Sequence, residues 1–128
     1  MSAPLVISQR NVGDVTVLEL TGHLVFDAGD RDFREEVMSL VRAGRTRILV
    51  DLKTVTYIDS CGVGGLVSMF LHVLKRGGEM KLICPSQRAC RVLEITQLRS
   101  VFDVFQTEAQ GIASFRTPVG VTPRPSGN

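Results

Sequence analysis

Val15, Val17, Glu19 and Thr21 alternate with Thr16, Leu18 and Leu20, and this two-residue period predicts a β-strand over Asp14 to Leu20. Leu5 to Ser8 is short and apolar and reads as an edge strand; Asn11 to Asp14, with Gly13, reads as the turn that closes a hairpin. Gly22 to Gly29 reads as a loop, with Asp30 as N-cap of the helix that follows. In that helix Phe33, Val37, Leu40 and Val41 fall at i, i+4, i+7 and i+8, one apolar face, and Gly44 marks its end. Arg31, Asp32, Arg34, Glu35 and Glu36 occupy the remaining face and read as its solvated side rather than as acid–base groups.

Arg47 to Leu52 is almost continuously apolar, the mark of a strand covered on both faces in a parallel or mixed sheet. Val55 to Ile58 is a second β-rich piece that leads into Asp59-Ser60-Cys61-Gly62. A helix is then predicted over Gly62 to Arg76. Val63, Leu66, Val67, Phe70, Val73 and Leu74 form its core face, and Gly64, Gly65, Ser68, His72 and Arg76 lie roughly opposite. Met80 to Cys84 reads as a strand, and Pro85-Ser86 opens a helix with Ser86 as N-cap and Ala89, Val92, Leu93 and Thr96 along it. Val101 to Phe105 reads as a last short strand. Thr107 to Gln110 has capping-box spacing, and Ile112, Ala113 and Phe115 would seat a terminal helix on the core. The order β-β-α-β-α-β-α-β-α predicts an α/β domain over residues 1–116, a mixed sheet with helices packed on it, and a Pro-, Gly-, Thr- and Ser-rich tail over 117–128 expected to be disordered.

Composition narrows the function. The chain has 128 residues, 44 % of them apolar, enough for one compact core. Fifteen basic and 13 acidic residues leave a net charge of +2, scattered and without a basic stripe; with no Trp and one Tyr, this argues against a nucleic-acid partner. Cys61, Cys84 and Cys90 are odd in number and lack paired metal-ligand spacing, so neither a disulfide framework nor a metal site is expected, and a reducing cytoplasm fits best. Met1 to Arg10 has no secretory pattern, and the apolar stretch Leu66 to Leu74 is too short for membrane insertion.

The chemistry concentrates in Val50 to Val67, a strand, an Asp-Ser turn and a glycine-rich helix start. Helix N-termini carry unpaired N–H groups and a positive dipole end, so an anion on Ser60 would be stabilised there. Gly62, Gly64 and Gly65 remove side chains and permit close approach by another backbone or a bulky group. Enzyme motifs are lacking: Val67 occupies both the position where a Cys-x5-Arg loop beginning at Cys61 needs arginine and the position where Gly-x-Gly-x-x-Gly needs its last glycine. His23 and His72 sit in no triad or ligand spacing. Cys61 reads as a small residue in a tight turn rather than a nucleophile.

This segment resembles the Asp-Ser-Ser/Thr/Ala-Gly-Leu/Val/Ile-Gly signature of STAS domains that antagonise anti-sigma factors. Leu20-Thr21-Gly22-His23-Leu24, the Arg47–Leu52 strand, Gly77 to Leu82 and Val92 to Phe102 agree with other parts of the family pattern, so the resemblance spans about Leu5 to Phe115. It implies a STAS fold with a mixed four- to five-stranded sheet and about four helices. It also implies Ser60 as phosphoacceptor, and a contact patch drawn from Asp59, Ser60, Cys61, Gly62, Gly64, Gly65, Ser68 and Asp27, with Met69 and His72 further along the helix. Val25 stands where many relatives carry an Asp near the phosphoacceptor, leaving Asp27 or Asp30 to take its place. The function implied is a cytoplasmic partner switch without cofactor or catalysis. The unphosphorylated domain, a monomer or weak homodimer, binds an anti-sigma factor that is a serine kinase of the histidine-kinase-like ATPase fold, and so releases the sigma factor. Phosphorylation of Ser60 ends the binding, and a PP2C-type serine phosphatase resets it. The alternative on the same fold is a scaffold in a stress-signalling assembly or a partner subunit of a transport ATPase.

Overall fold

In a computed structural model describing residues 4–26, 28–84, 91, 93–95 and 101–115, the first alternating segment forms a hairpin. β1 (Val6–Val12) pairs antiparallel with β2 (Val15–Leu24), and Gly13 between them takes φ 63°. β2 pairs parallel with β3 (Arg47–Ile58), β3 with β4 (Glu79–Ile83) and β4 with β5 (Val104–Phe105). The five strands therefore lie in chain order in one mixed sheet. α1 (Ala28–Arg42) joins β2 to β3 and α2 (Ser60–Lys75) joins β3 to β4. Residues 91 and 93–95 are helical (α3), and α4 (Glu108–Ala113) follows β5. Among the described residues there are five strands and four helices, the α/β fold expected.

Each parallel crossover advances one strand in the same direction, so helices of a common right hand fall on one face of the sheet. There Leu18 and Leu20 of β2 and Ile48, Val50 and Leu52 of β3 meet Phe33, Val37, Leu40 and Val41 of α1 and Val63, Leu66 and Val73 of α2. Val15, Val17, Leu49 and Ile83 point to the other face, where Ile112 and Phe115 cover them. Burial on both faces is why residues 47–52 lack a two-residue period; each fully buried side chain of this size contributes about 1.5–3 kcal/mol. Lys81, on the second face, donates to the Ser114 carbonyl and hydroxyl at 3.1 Å each and lies 4.5 Å from the Phe115 ring centroid, which fastens the end of α4. Thr107 caps the start of α4, accepting from Gln110 N at 3.1 Å.

Several expectations are corrected. The two β-rich pieces, Arg47 to Leu52 and Val55 to Ile58, form one continuous strand, β3, and β2 extends through Leu24 to pair with it. Two register shifts, between Glu19 and Thr21 and between Gly22 and His23, disturb the alternation, so Leu52, Val55 and Ile58 are buried at a spacing of three. Asp30 lies in the first turn of α1 and bonds Arg34 at 3.1 Å instead of capping the helix. Leu74 and Ala113, expected in the core, are exposed. Cys61 is a free thiol, but Cys84 is disulfide-bonded, contrary to the expectation from cysteine count. The Ser86 cap with Ala89, Val92 and Thr96, the tail over 117–128, and Asp27 lie outside the described residues.

Candidate partner-binding site

The site forms where β3 ends and α2 begins. Asp59 has extended backbone (φ −97°, ψ −176°) and is the N-cap. Its Oδ1 accepts from Gly62 N at 2.9 Å and its carbonyl from Val63 N at 3.0 Å, satisfying two donors of the first turn. Its Oδ2 accepts from Phe26 N at 3.0 Å, and its own N–H donates to the Leu24 carbonyl at 3.3 Å. One carboxylate thus joins the end of β2 to the start of α2. Ser60 is the first residue of α2 and is exposed, with its side chain free of the capping role that serine often takes at a helix start.

The three glycines divide. A Cβ on Gly62 would collide with the carbonyl oxygen of Leu24, and a Cβ on Gly65 with Oδ1 of Asp30. Both are buried, and they let α2 approach β2 and α1. Gly64 is half-exposed, and a Cβ there would meet nothing within 4 Å. Gly65 is therefore corrected from a surface position to a packing position, as is Met69, which is buried in the main core.

The other candidates fall on one side of the helix. Cys61, Gly64 and Ser68 are half-exposed at i, i+3 and i+7, with Ser60 at their head and exposed Leu71 and half-exposed His72 beyond. Asp59 lies beneath this stripe and positions it. Asp30, offered as a replacement for the acid missing at Val25, is engaged by Arg34 over the helix at Gly65.

Sequence reasoning passed over two exposed aromatic residues close to the turn in sequence. Phe26 is 70 % and Tyr57 57 % exposed, and His23 packs edge-on against Tyr57 with ring centroids 5.9 Å apart. A signal existed for Tyr57, because it lies between Val55 and Ile58, which both face the core. For Phe26 there was none: its place depends on the Asp59 bond.

A mixed sheet in chain order, with an exposed serine at the first residue of the helix after its central strand, defines a small α/β domain with a built strand-to-helix turn. The family model of the STAS domain matches residues 7–111, and the chain belongs to that family. It is 35 % identical over 79 residues to the anti-sigma-B factor antagonist of Bacillus subtilis (strain 168), covering 62 % of this chain and 72 % of that relative. Its fold matches an anti-sigma factor antagonist from Mycobacterium paratuberculosis with a TM-score of 0.78 at 18 % identity, over 91 % of this chain and all (100 %) of the other. It also matches the anti-sigma factor antagonist SpoIIAA in its unphosphorylated form, with a TM-score of 0.70 at 20 % identity over 88 % of this chain and 100 % of that one. The Bacillus cell fate determinant SpoIIAA in its phosphorylated form matches with 0.68 at 21 % identity, over 87 % and 100 %. Among the described residues no helix is long and apolar enough to cross a membrane.

Proposed function

We propose that this chain is an anti-sigma factor antagonist that works as a phosphorylation-controlled partner switch, by binding and not by catalysis. The unphosphorylated domain binds an anti-sigma factor serine kinase through Ser60, Cys61, Gly64 and Ser68 and so frees the sigma factor. Phosphorylation of Ser60 ends the contact and a PP2C-type phosphatase restores it. The observation that carries this reading is the exposed Ser60 at the head of a stripe of small side chains, held in place by a cap that does not use the serine itself. The kinship with the Bacillus subtilis antagonist supports it, as does a fold shared with a protein solved in phosphorylated and unphosphorylated forms.

A phosphate adds about −1.5 to −2 charges at neutral pH. Burying an unmatched charge in an interface costs on the order of 3–5 kcal/mol, which at ~1.4 kcal/mol per decade is two to three powers of ten or more in affinity. No refolding is needed, because the charge enters the contact directly. The test incubates the purified chain with ATP and candidate anti-sigma kinases and locates phosphate by mass spectrometry. Ser60→Ala and Ser60→Asp are titrated against the same kinases. Phosphate on Ser60, with binding kept in Ser60→Ala and lost in Ser60→Asp, is expected. An unmodified Ser60 and equal binding by both variants would move the reading to a constitutive scaffold.

A further inference from the structure

The chain has three cysteines, Cys61, Cys84 and Cys90. Cys61 is a free thiol and Cys84 is disulfide-bonded, so within one chain the sulfur across from Cys84 can only be that of Cys90. Cys84 follows Ile83, the last residue of β4, and is buried. Its N–H donates to the Phe105 carbonyl at 2.8 Å, so its backbone is fixed to the sheet beside β5. Its side chain joins the main core cluster together with Leu93 of α3 and Phe102.

Of the described residues of α3, Arg91, Glu94 and Ile95 are exposed and Leu93 is fully buried. Phe102 meets Phe70 of α2 edge-on with ring centroids 5.1 Å apart, and Phe70 packs on the same core. Cys84, Leu93 and Phe102 therefore share one cluster with Leu66 and Val73 of α2. Cys90 directly precedes Arg91, so a bond from Cys84 to Cys90 ties the start of α3 covalently to the end of β4. The fold itself has ample apolar material besides this bond: β2, β3, α1 and α2 fill the core with Leu, Val, Ile and Phe side chains. A 128-residue chain is also well above the size that needs cross-links to fold.

We propose that Cys84 and Cys90 form a reversible thiol–disulfide switch that fastens α3 to the sheet when oxidised and loosens it when reduced. Both forms are folded, and they differ in how firmly α3 is held. This switch is separate from Ser60 and does not rest on the partner-switch reading. The reductant is a small thiol such as glutathione or a dithiol protein. Its thiolate attacks one sulfur, the S–S bond breaks, and the other sulfur leaves as a thiolate that takes up a proton. A second reductant thiolate attacks the mixed disulfide and frees the second cysteine. The chain gains two electrons and two protons, and the reductant ends as its own disulfide. Exchange with oxidised glutathione runs the same steps backwards.

The test equilibrates the purified full chain in buffers of graded reduced-to-oxidised glutathione ratio, quenches with an alkylating reagent and counts adducts by mass spectrometry. The oxidised chain should carry one alkyl group, on Cys61, and the reduced chain three. Peptide mapping of the oxidised form should join the Cys84 and Cys90 peptides. Reduction should lower the melting temperature by about 5–10 °C, the effect of opening a short closed loop in a domain of this size. It should also speed amide exchange at Leu93, Glu94 and Ile95 by about tenfold or more. Cys90→Ser should melt like the reduced chain with or without reductant, and Cys61→Ser should keep the full redox shift. Three alkyl groups on the oxidised chain would overturn the bridge. A bridge that stays closed across the whole glutathione range would be a permanent cross-link, and equal melting and exchange in both forms would show that it fastens nothing. Either result overturns the switch.

Discussion

Replacing each helix glycine by alanine should separate packing from contact within a single turn and a half of α2. At Gly64 the new Cβ meets nothing within 4 Å, so only helix propensity acts. Alanine is favoured over glycine by about 1 kcal/mol in a helix interior, and Gly64→Ala should raise the melting temperature by roughly 3–5 °C in a domain of this size. At Gly65 the same gain is opposed by Oδ1 of Asp30, which Arg34 holds at 3.1 Å and which must swing away with its ion pair. Overpacking of this kind costs about 1–3 kcal/mol, leaving Gly65→Ala between neutral and about 2 kcal/mol destabilised. At Gly62 the obstacle is the Leu24 carbonyl, a backbone atom that no rotamer change can move, so Gly62→Ala should lose at least about 2 kcal/mol. Urea denaturation of the three variants reads the order directly. Binding should run against stability at one position: Gly64→Ala, the most stable variant, should bind the anti-sigma kinase less well, because its methyl stands in the exposed stripe. A destabilised Gly64→Ala, or a Gly62→Ala as stable as wild type, would refute the division of roles among the glycines.

Asp59→Ala should cost about 1–3 kcal/mol, since it removes the cap on Gly62 and the acceptor for Phe26 together. Hydrogen exchange should quicken at the amides of those two residues, and exchange that stays slow there would show the carboxylate is dispensable. Arg10 joins β1 to Glu19 and to Glu108 of α4, and the hydrogen bonds it donates to Glu108 and then to Glu19 push its pKa above an already high ordinary value. It therefore stays charged throughout the working pH range and adds no pH-dependent step. Because the pair is largely exposed, Arg10→Ala should cost under about 1 kcal/mol and the difference should shrink in high salt; a salt-independent loss would mean the side chain acts by packing.

Long apolar periods were legible in the sequence because each maps onto one covered face. Phe33, Val37, Leu40 and Val41 need only one helix period to be placed, and all four are buried. Arg47 to Leu52 was readable as a doubly covered strand for the same reason. The extension of β2 and β3 was not legible, since two register shifts erase the period of two and leave polar residues such as Lys53, Thr54 and Thr56 on its open positions. The Asp-Ser-Cys-Gly turn was visible as a motif, but the separate fates of Gly62, Gly64 and Gly65 were not. Spacing along α2 places Gly65 on the outer side; only the arrival of α1 with Asp30 makes it an inner position. Phe26 was read as part of a loop, because the bond that fixes it joins residues 33 apart in sequence.

That long-range bond also bears on the switch role proposed for Ser60. Serine at a helix start commonly caps the helix, and its modification would then disturb the fold along with the surface. Here the cap is the preceding residue: Asp59 carries Gly62, Val63 and Phe26, while Ser60 carries none of those bonds. A phosphate at Ser60 can therefore change the charge of the surface without removing a cap from beneath it. The positive end of α2 would lower the cost of that phosphate in the free domain, whereas in the proposed interface the same charge would meet partner atoms arranged for a neutral hydroxyl. The energetic difference between the two forms then falls on the complex and little on the fold. For this reason phosphorylated and unphosphorylated domains should melt within a few degrees of each other while differing by orders of magnitude in kinase affinity.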